Sequence, residues 1–204
     1  ATALLAASLS LASGVPRSCF APFGLSAADA AASAAGVLIL LPSKGADSGK
    51  VRLSLLSGLL RSGAFLAGLL DFQLAAAVLG LIDLGGPRER LFRRQLRDED
   101  ETVWVTGAAK GCLVVDINAR LLTAFGLAGP DLTVPGVLWM YFVLLSYFIS
   151  VLVMARDSCA YCAVIIAALL GIAASPLATV PVLTGSSFAL AASCIAFIVR
   201  FFLE

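Results

Sequence analysis

The 204-residue chain contains no histidine. Imidazole is the usual axial ligand of haem, the commonest transition-metal ligand and the commonest general base. Its absence disfavours a haem-bearing electron carrier, a His-ligated metal enzyme and a Ser-His hydrolase. Any bound pigment would be held by Asn, Gln, Asp, Glu, a carbonyl or water.

Charge is scarce as well. Only 13% of the residues are charged, against about 25% in soluble domains. Hydrophobic residues make up 60% of the chain, and the mean hydropathy is +1.00. These values describe a membrane protein. A net charge of +1 exerts no long-range pull on nucleic acid, so no nucleic-acid partner is expected. Arginine outnumbers lysine 11 to 3, and with abundant alanine this is the usage of a GC-rich genome.

What is present reads as helices. The expected fold is all-α: a polytopic membrane protein of about four transmembrane helices plus interfacial amphipathic helices. Residues 1–49 form an Ala/Ser-rich segment, and 50–204 form a single helical membrane domain. The chain opens on alanine, which suggests processing or truncation. "AADAAASAAG" (27–36), after the apolar 1–13, is similar to the end of a targeting signal. An ordered Ala-rich stretch of the mature chain is the favoured reading. "SAAGVLILLPSKG" (33–45) has too short an apolar core to cross a bilayer and is expected at the surface or re-entrant.

Lys50 to Arg61 alternates leucines with basic residues and reads as an interfacial helix. The expected spans are 62–83, 134–155, 158–177 and 183–202. "GGP" (85–87) closes the first, and the polar loop 86–111 follows, with five arginines and then an acidic run. Asp116, Asn118 and Arg120 argue against placing 112–129 within the bilayer, because a charge at the bilayer centre costs about 2.5–3.5 kcal/mol on insertion scales. That segment is expected outside the membrane or at its surface. The short "ARDS" turn makes the second and third spans an antiparallel hairpin. The two sides of this topology carry equal numbers of basic residues, so orientation stays open.

Small residues recur four apart at Cys159, Ala163, Ala167, Gly171 and Ser175, and such rows let helices approach closely. Asp71 and Gln73, read as near the centre of the first span, are the candidate cofactor-binding groups together with Asn118. Pigment or lipid contact and a hydrogen bond to a neighbouring helix are both open to them. A transport pathway usually needs more than one carboxyl within the bundle. The other spans offer no partner for Asp71, so the sequence speaks against a channel or carrier.

Cys159 and Cys162 form a Cys-x-x-C at a helix N-terminus that Asp157 or Ser158 can cap. The positive helix end and Arg156 favour thiolate there. The stretch 146–171 resembles the membrane-embedded catalytic segment of the vitamin K epoxide reductase-like proteins, with Tyr147, Phe148, Cys159 and Cys162 as the matching residues. The resemblance implies a four-helix, quinone-linked thiol-disulfide oxidoreductase. That family relays electrons through a second pair of loop cysteines. Here only Cys112 lies between the first two spans, and the topology above sets it on the membrane face opposite Cys159.

The favoured expectation is therefore a non-catalytic accessory subunit of a larger bioenergetic membrane complex, in contact with other membrane subunits and lipids. No catalytic residue and no metal ligand is expected on that reading. Composition and the signal-like N-terminus point first to an algal photosystem in the plastid thylakoid, and second to a mitochondrial inner-membrane complex. Chlorophyll, carotenoid or lipid would lie at the helix surface. The oxidoreductase, with Cys159 and Cys162 catalytic, is the alternative.

Overall fold

The computed structural model describes residues 48–99, 101–125, 134–174 and 180–202. The expectations for 1–47, the loop at 126–133, Ser175 and Cys19 lie outside the described residues. Seven α-helices and no strand occur among the described residues: α1 Ser48–Leu69, α2 Gln73–Gly85, α3 Pro87–Arg97, α4 Val103–Ala124, α5 Val134–Met154, α6 Cys159–Ala173 and α7 Val180–Phe202.

The chain divides into two compact units. The first holds α1 to α3 and residues 116–124 of α4; the second holds residues 103–115 of α4 with α5 to α7.

In the first unit, α1 and α2 pack as a hairpin. The expected continuous span 62–83 is instead broken at residues 70–72. Asp71 adopts φ 64°, Phe72 N–H donates to the Ala67 carbonyl at 2.8 Å, and Asp71 N–H donates to Gly68 at 3.1 Å. This is the Schellman ending of a helix, with Asp in the left-handed position that glycine usually fills.

Part of the expected polar loop is the helix α3. Gly86 precedes it and Pro87 opens it, where a missing N–H costs nothing. Glu89 lies in its first turn and Arg94 and Arg97 in its last, each on the side the helix dipole favours.

In the second unit, α5 and α6 are joined by a tight turn at Ala155–Asp157, where Ser158 N–H donates to the Met154 carbonyl at 2.9 Å. Ser158 caps α6, its hydroxyl accepting from Tyr161 N–H at 3.2 Å. The third helix, α7, packs on both α5 and α6. Tyr141 near the start of α5 donates to the Pro181 carbonyl, and Arg200 near the end of α7 donates to the Leu152 carbonyl, so α5 and α7 run parallel. The core joins Leu144, Tyr147 and Val151 of α5 to Cys162, Ile165 and Leu169 of α6 and Ala189 of α7.

Among the described residues, two helices are long and apolar enough to cross a membrane: α5 over Gly136–Met154, and α7. Hydroxyls within them bond back to their own helix, as with Ser146 to Val143, Ser150 to Tyr147 and Ser186 to Val182. No polar side chain is thereby left unsatisfied on these apolar helices at those positions. The third expected apolar span is the shorter α6, which has 15 residues.

Candidate functional site

The first unit buries a set of ionisable side chains, while much of the outer face of α1 and α2 is apolar. Arg61, Asp83, Arg88, Asp116 and Arg120 are all buried, with Arg61, Asp116 and Arg120 each 2% exposed and Asp83 fully enclosed. Its exposed surface includes Leu59, Leu66, Leu70, Phe72, Leu74, Val78, Leu81 and Ile82.

The buried charges come from four helices. On α4, Asp116 and Arg120 are one turn apart, and Arg120 Nε donates to both carboxylate oxygens at 3.1 and 3.0 Å. Arg61 of α1 brings Nη1 to 3.6 Å from the same carboxylate. Arg120 Nη1 also donates to Gln73 Oε1 on α2 at 3.2 Å, while Gln73 Nε2 donates to the Gly68 carbonyl at 3.3 Å. A Cβ at Gly68 would collide with the Arg120 guanidinium. Glycine is therefore what admits Arg120 against the α1 backbone.

A second pair lies along α2 and α3. Arg88 Nη2 and Nε donate to Asp83 Oδ2 at 3.3 and 3.4 Å. The Ser57 hydroxyl and the Arg61 guanidinium also face Asp83. Arg61 thus acts electrostatically on Asp83 as well as on Asp116, and couples the two pairs. In a low-dielectric interior such a network holds its geometry firmly, and loss of one partner leaves a costly buried charge.

This arrangement corrects several expectations. Asp116 and Arg120, on the segment expected outside the membrane or at its surface, are buried within the protein, each enclosed by the other and by α1 and α2. Asp71 does not lie within a span. It is exposed at the helix break. Gln73 is a network member, and Asn118 is half-buried on α4. The objection that no second carboxyl lies in the bundle fails, since Asp83 and Asp116 are both interior. The missed residues Arg61, Asp83 and Arg88 had a signal in the sequence: Ser57 and Arg61, one turn apart on an otherwise leucine-rich helix, and Asp83 five residues before Arg88.

The cysteine pair sits in the second unit. Cys159 is exposed, and Cys162 is buried with Sγ 3.8 Å from the Val151 carbonyl; both are free thiols. Gly111 of α4 lies against the Tyr161 carbonyl and Val164. Residue 111 therefore neighbours the first turns of α6, and the placement of Cys112 on the face opposite Cys159 does not hold. An open apolar groove of ≈ 620 Å³ runs between α5 and α7, lined by Tyr141, Leu144, Phe148, Gly185, Phe188 and Ala192 among others. Neither cysteine lines it.

Comparison with protein-family models, curated proteins and solved structures gave no match. The functional reading therefore rests on the chain's own geometry.

Proposed function

We propose that this chain belongs to a membrane carrier, in which a buried set of ion pairs changes partners as a small charged solute crosses. One observation carries the reading. Five ionisable side chains from four helices converge away from solvent, beneath α1 and α2 helices whose outer faces are largely apolar. Such a network is a poor way to gain stability, because well-packed apolar side chains usually do as well or better. Ionisable groups inside membrane helices instead mark solute, ion or proton pathways.

The reading extends to the topology. α1 and α4 have 22 residues each, which is about 33 Å of helix against a hydrocarbon core of about 30 Å. Their charged residues are what lower their hydropathy, and Arg61, Asp116 and Arg120 are the ones turned inward. Within the second unit α5 and α7 run parallel, so α6 returns the chain between them.

The test is transport by the full chain in liposomes, with currents recorded for a panel of small carboxylates, phosphates and charged amino acids. At least one solute is expected to evoke a current that Asp116→Asn reduces by more than about tenfold when normalised to folded protein in the bilayer. Silence across the panel, with correctly folded protein in the bilayer, would remove the carrier reading.

A second reading has its own support. Cys159, Ala163, Ala167 and Gly171 are all exposed on α6, so this row of small side chains faces outward, where another helix could approach closely. On that reading the chain is a non-catalytic subunit of a bioenergetic membrane complex, with an algal photosystem of the thylakoid first and a mitochondrial inner-membrane complex second. Chlorophyll, carotenoid or lipid would then lie against its apolar helices. Co-purification of a pigment-bearing or respiratory assembly, lost in an Ala163→Leu/Ala167→Leu variant, would favour it over the carrier.

A further inference from the structure

We infer that the outer face of α3 is a docking surface for the anionic headgroups of a membrane leaflet. Arg90, Arg93, Arg94 and Arg97 follow the i, i+3, i+4, i+7 spacing that forms one stripe along a helix. All four are exposed. The opposite side of α3, with Pro87, Arg88, Phe92 and Gln95, is buried in the first unit and fixes the direction of the stripe.

Position within the unit selects the partner. α3 follows α2 directly after Gly86 and packs on α1. Asp98, just past its end, lies 3.0 Å from Lys50 in the first turn of α1. α3 therefore lies across the open end of the α1–α2 hairpin, where Arg52 is exposed too. About one turn further along α1, the exposed residues become Leu55, Leu56 and Leu59. On α2 the last exposed apolar residues before this end are Leu81 and Ile82. A basic band bordering an apolar band is the surface that meets the headgroup boundary of a bilayer.

The attraction is that of clustered positive charge for an anionic surface, and guanidinium stays charged at every physiological pH. One neighbouring acid reaches the stripe and offsets part of its charge at Arg93. Glu89 is held by Arg93 at 2.7 Å, Asp98 is held by Lys50, and Glu99 and Glu101 come after the helix has ended. An acidic protein partner would use the same arginines but would have no need of the apolar border beside them.

The experiment is native mass spectrometry of the full chain in detergent with equimolar phosphatidylglycerol and phosphatidylcholine. The wild-type chain is expected to retain phosphatidylglycerol at least about tenfold more, given the attraction of each basic residue to an anionic surface. Replacing all four arginines by Gln is expected to abolish the preference, and replacing all four by Lys to keep most of it. Free glycerol phosphate at the lipid's concentration is expected to displace little lipid. Equal retention of the two lipids by the wild type would overturn the inference, as would an unchanged preference in the Gln variant. A Lys variant as poor as the Gln variant would also overturn it, by assigning the arginines a structural role. Displacement by glycerol phosphate would replace the membrane surface with a soluble phosphate. Should the quadruple Gln variant not fold, the Arg90→Gln/Arg97→Gln variant, which leaves the Arg93–Glu89 pair intact, gives the same reading at reduced amplitude.

Discussion

The Nε of Arg120 lies 3.0 Å from Oδ2 of Asp116 one turn below it on the same helix, and both side chains are 2% exposed. A pair at this spacing on a solvated helix is worth a few tenths of a kcal/mol. Here it is enclosed, and its carboxylate is shared with Arg61 from another helix. That sharing makes the consequences of substitution unequal for the partners.

Removing the carboxylate leaves two guanidinium groups buried without it, whereas removing Arg120 leaves Asp116 with Arg61. Asp116→Asn is therefore expected to destabilise by about 3–5 kcal/mol, the usual cost of breaking a buried pair. Arg120→Met is expected to cost clearly less. Thermal unfolding of the purified variants in detergent checks the order. An Arg120→Met midpoint at or below that of Asp116→Asn would mean that Arg61 does not share the carboxylate.

Gly68 sets the distance between α1 and Arg120. Gly68→Ala adds a Cβ where the guanidinium lies, so the Arg120 side chain must move away from Asp116 and Gln73. Overpacking of this kind costs about 1–3 kcal/mol. The cost is expected to shrink in an Arg120→Ala background, because the clash partner is gone. A double-mutant cycle measures the difference, and additive effects would show that Gly68 is required for some other reason.

How far the sequence disclosed this arrangement differs from segment to segment. α5 and α7 are legible because their apolar runs are unbroken, and the α5–α6 turn because Ser158 caps a helix directly after Arg156 and Asp157. α3 was legible in principle, with Gly-Gly-Pro ahead of an Arg/Leu/Gln sequence of good helix formers. Its density of charge reads as a solvated loop instead. The break at 70–72 is hidden because no Gly or Pro marks it; the left-handed residue is an aspartate. The buried network is hidden for a stronger reason. Insertion costs are assigned to single residues, while the cost of burying Asp116 is offset by Arg61 and Arg120, and the contact with Arg61 joins positions 55 residues apart (116 − 61).

The aspartate at the helix break yields a prediction that separates backbone from side-chain roles. Asp71 is exposed and its φ of 64° suits glycine. Asp71→Gly is expected to leave stability and any transport current unchanged. Asp71→Val forces a β-branched residue into the left-handed region and is expected to cost about 1–2 kcal/mol. Loss of current in Asp71→Gly at unchanged thermal midpoint would return Asp71 to the list of functional carboxylates.

The thiol pair gives the sharpest test of the oxidoreductase alternative. Thiols react as exposed thiolates. Cys159 meets the exposure condition, while Cys162 is fully enclosed in the core beside Val151. N-ethylmaleimide is expected to modify Cys159 in the native protein and Cys162 only after unfolding, as read by peptide mass spectrometry. Cys162→Ser is expected to fold, because the hydroxyl can donate to the Val151 carbonyl in place of the thiol and leaves no buried donor unpaired. The same variant is the natural trap for a mixed disulfide through Cys159. If quinone-linked exchange operates, that variant accumulates a covalent adduct with a thiol substrate, and the oxidoreductase reading displaces the carrier. If packing is the role of the pair, no adduct forms, and the Cys159→Ser/Cys162→Ser variant retains both its fold and its current.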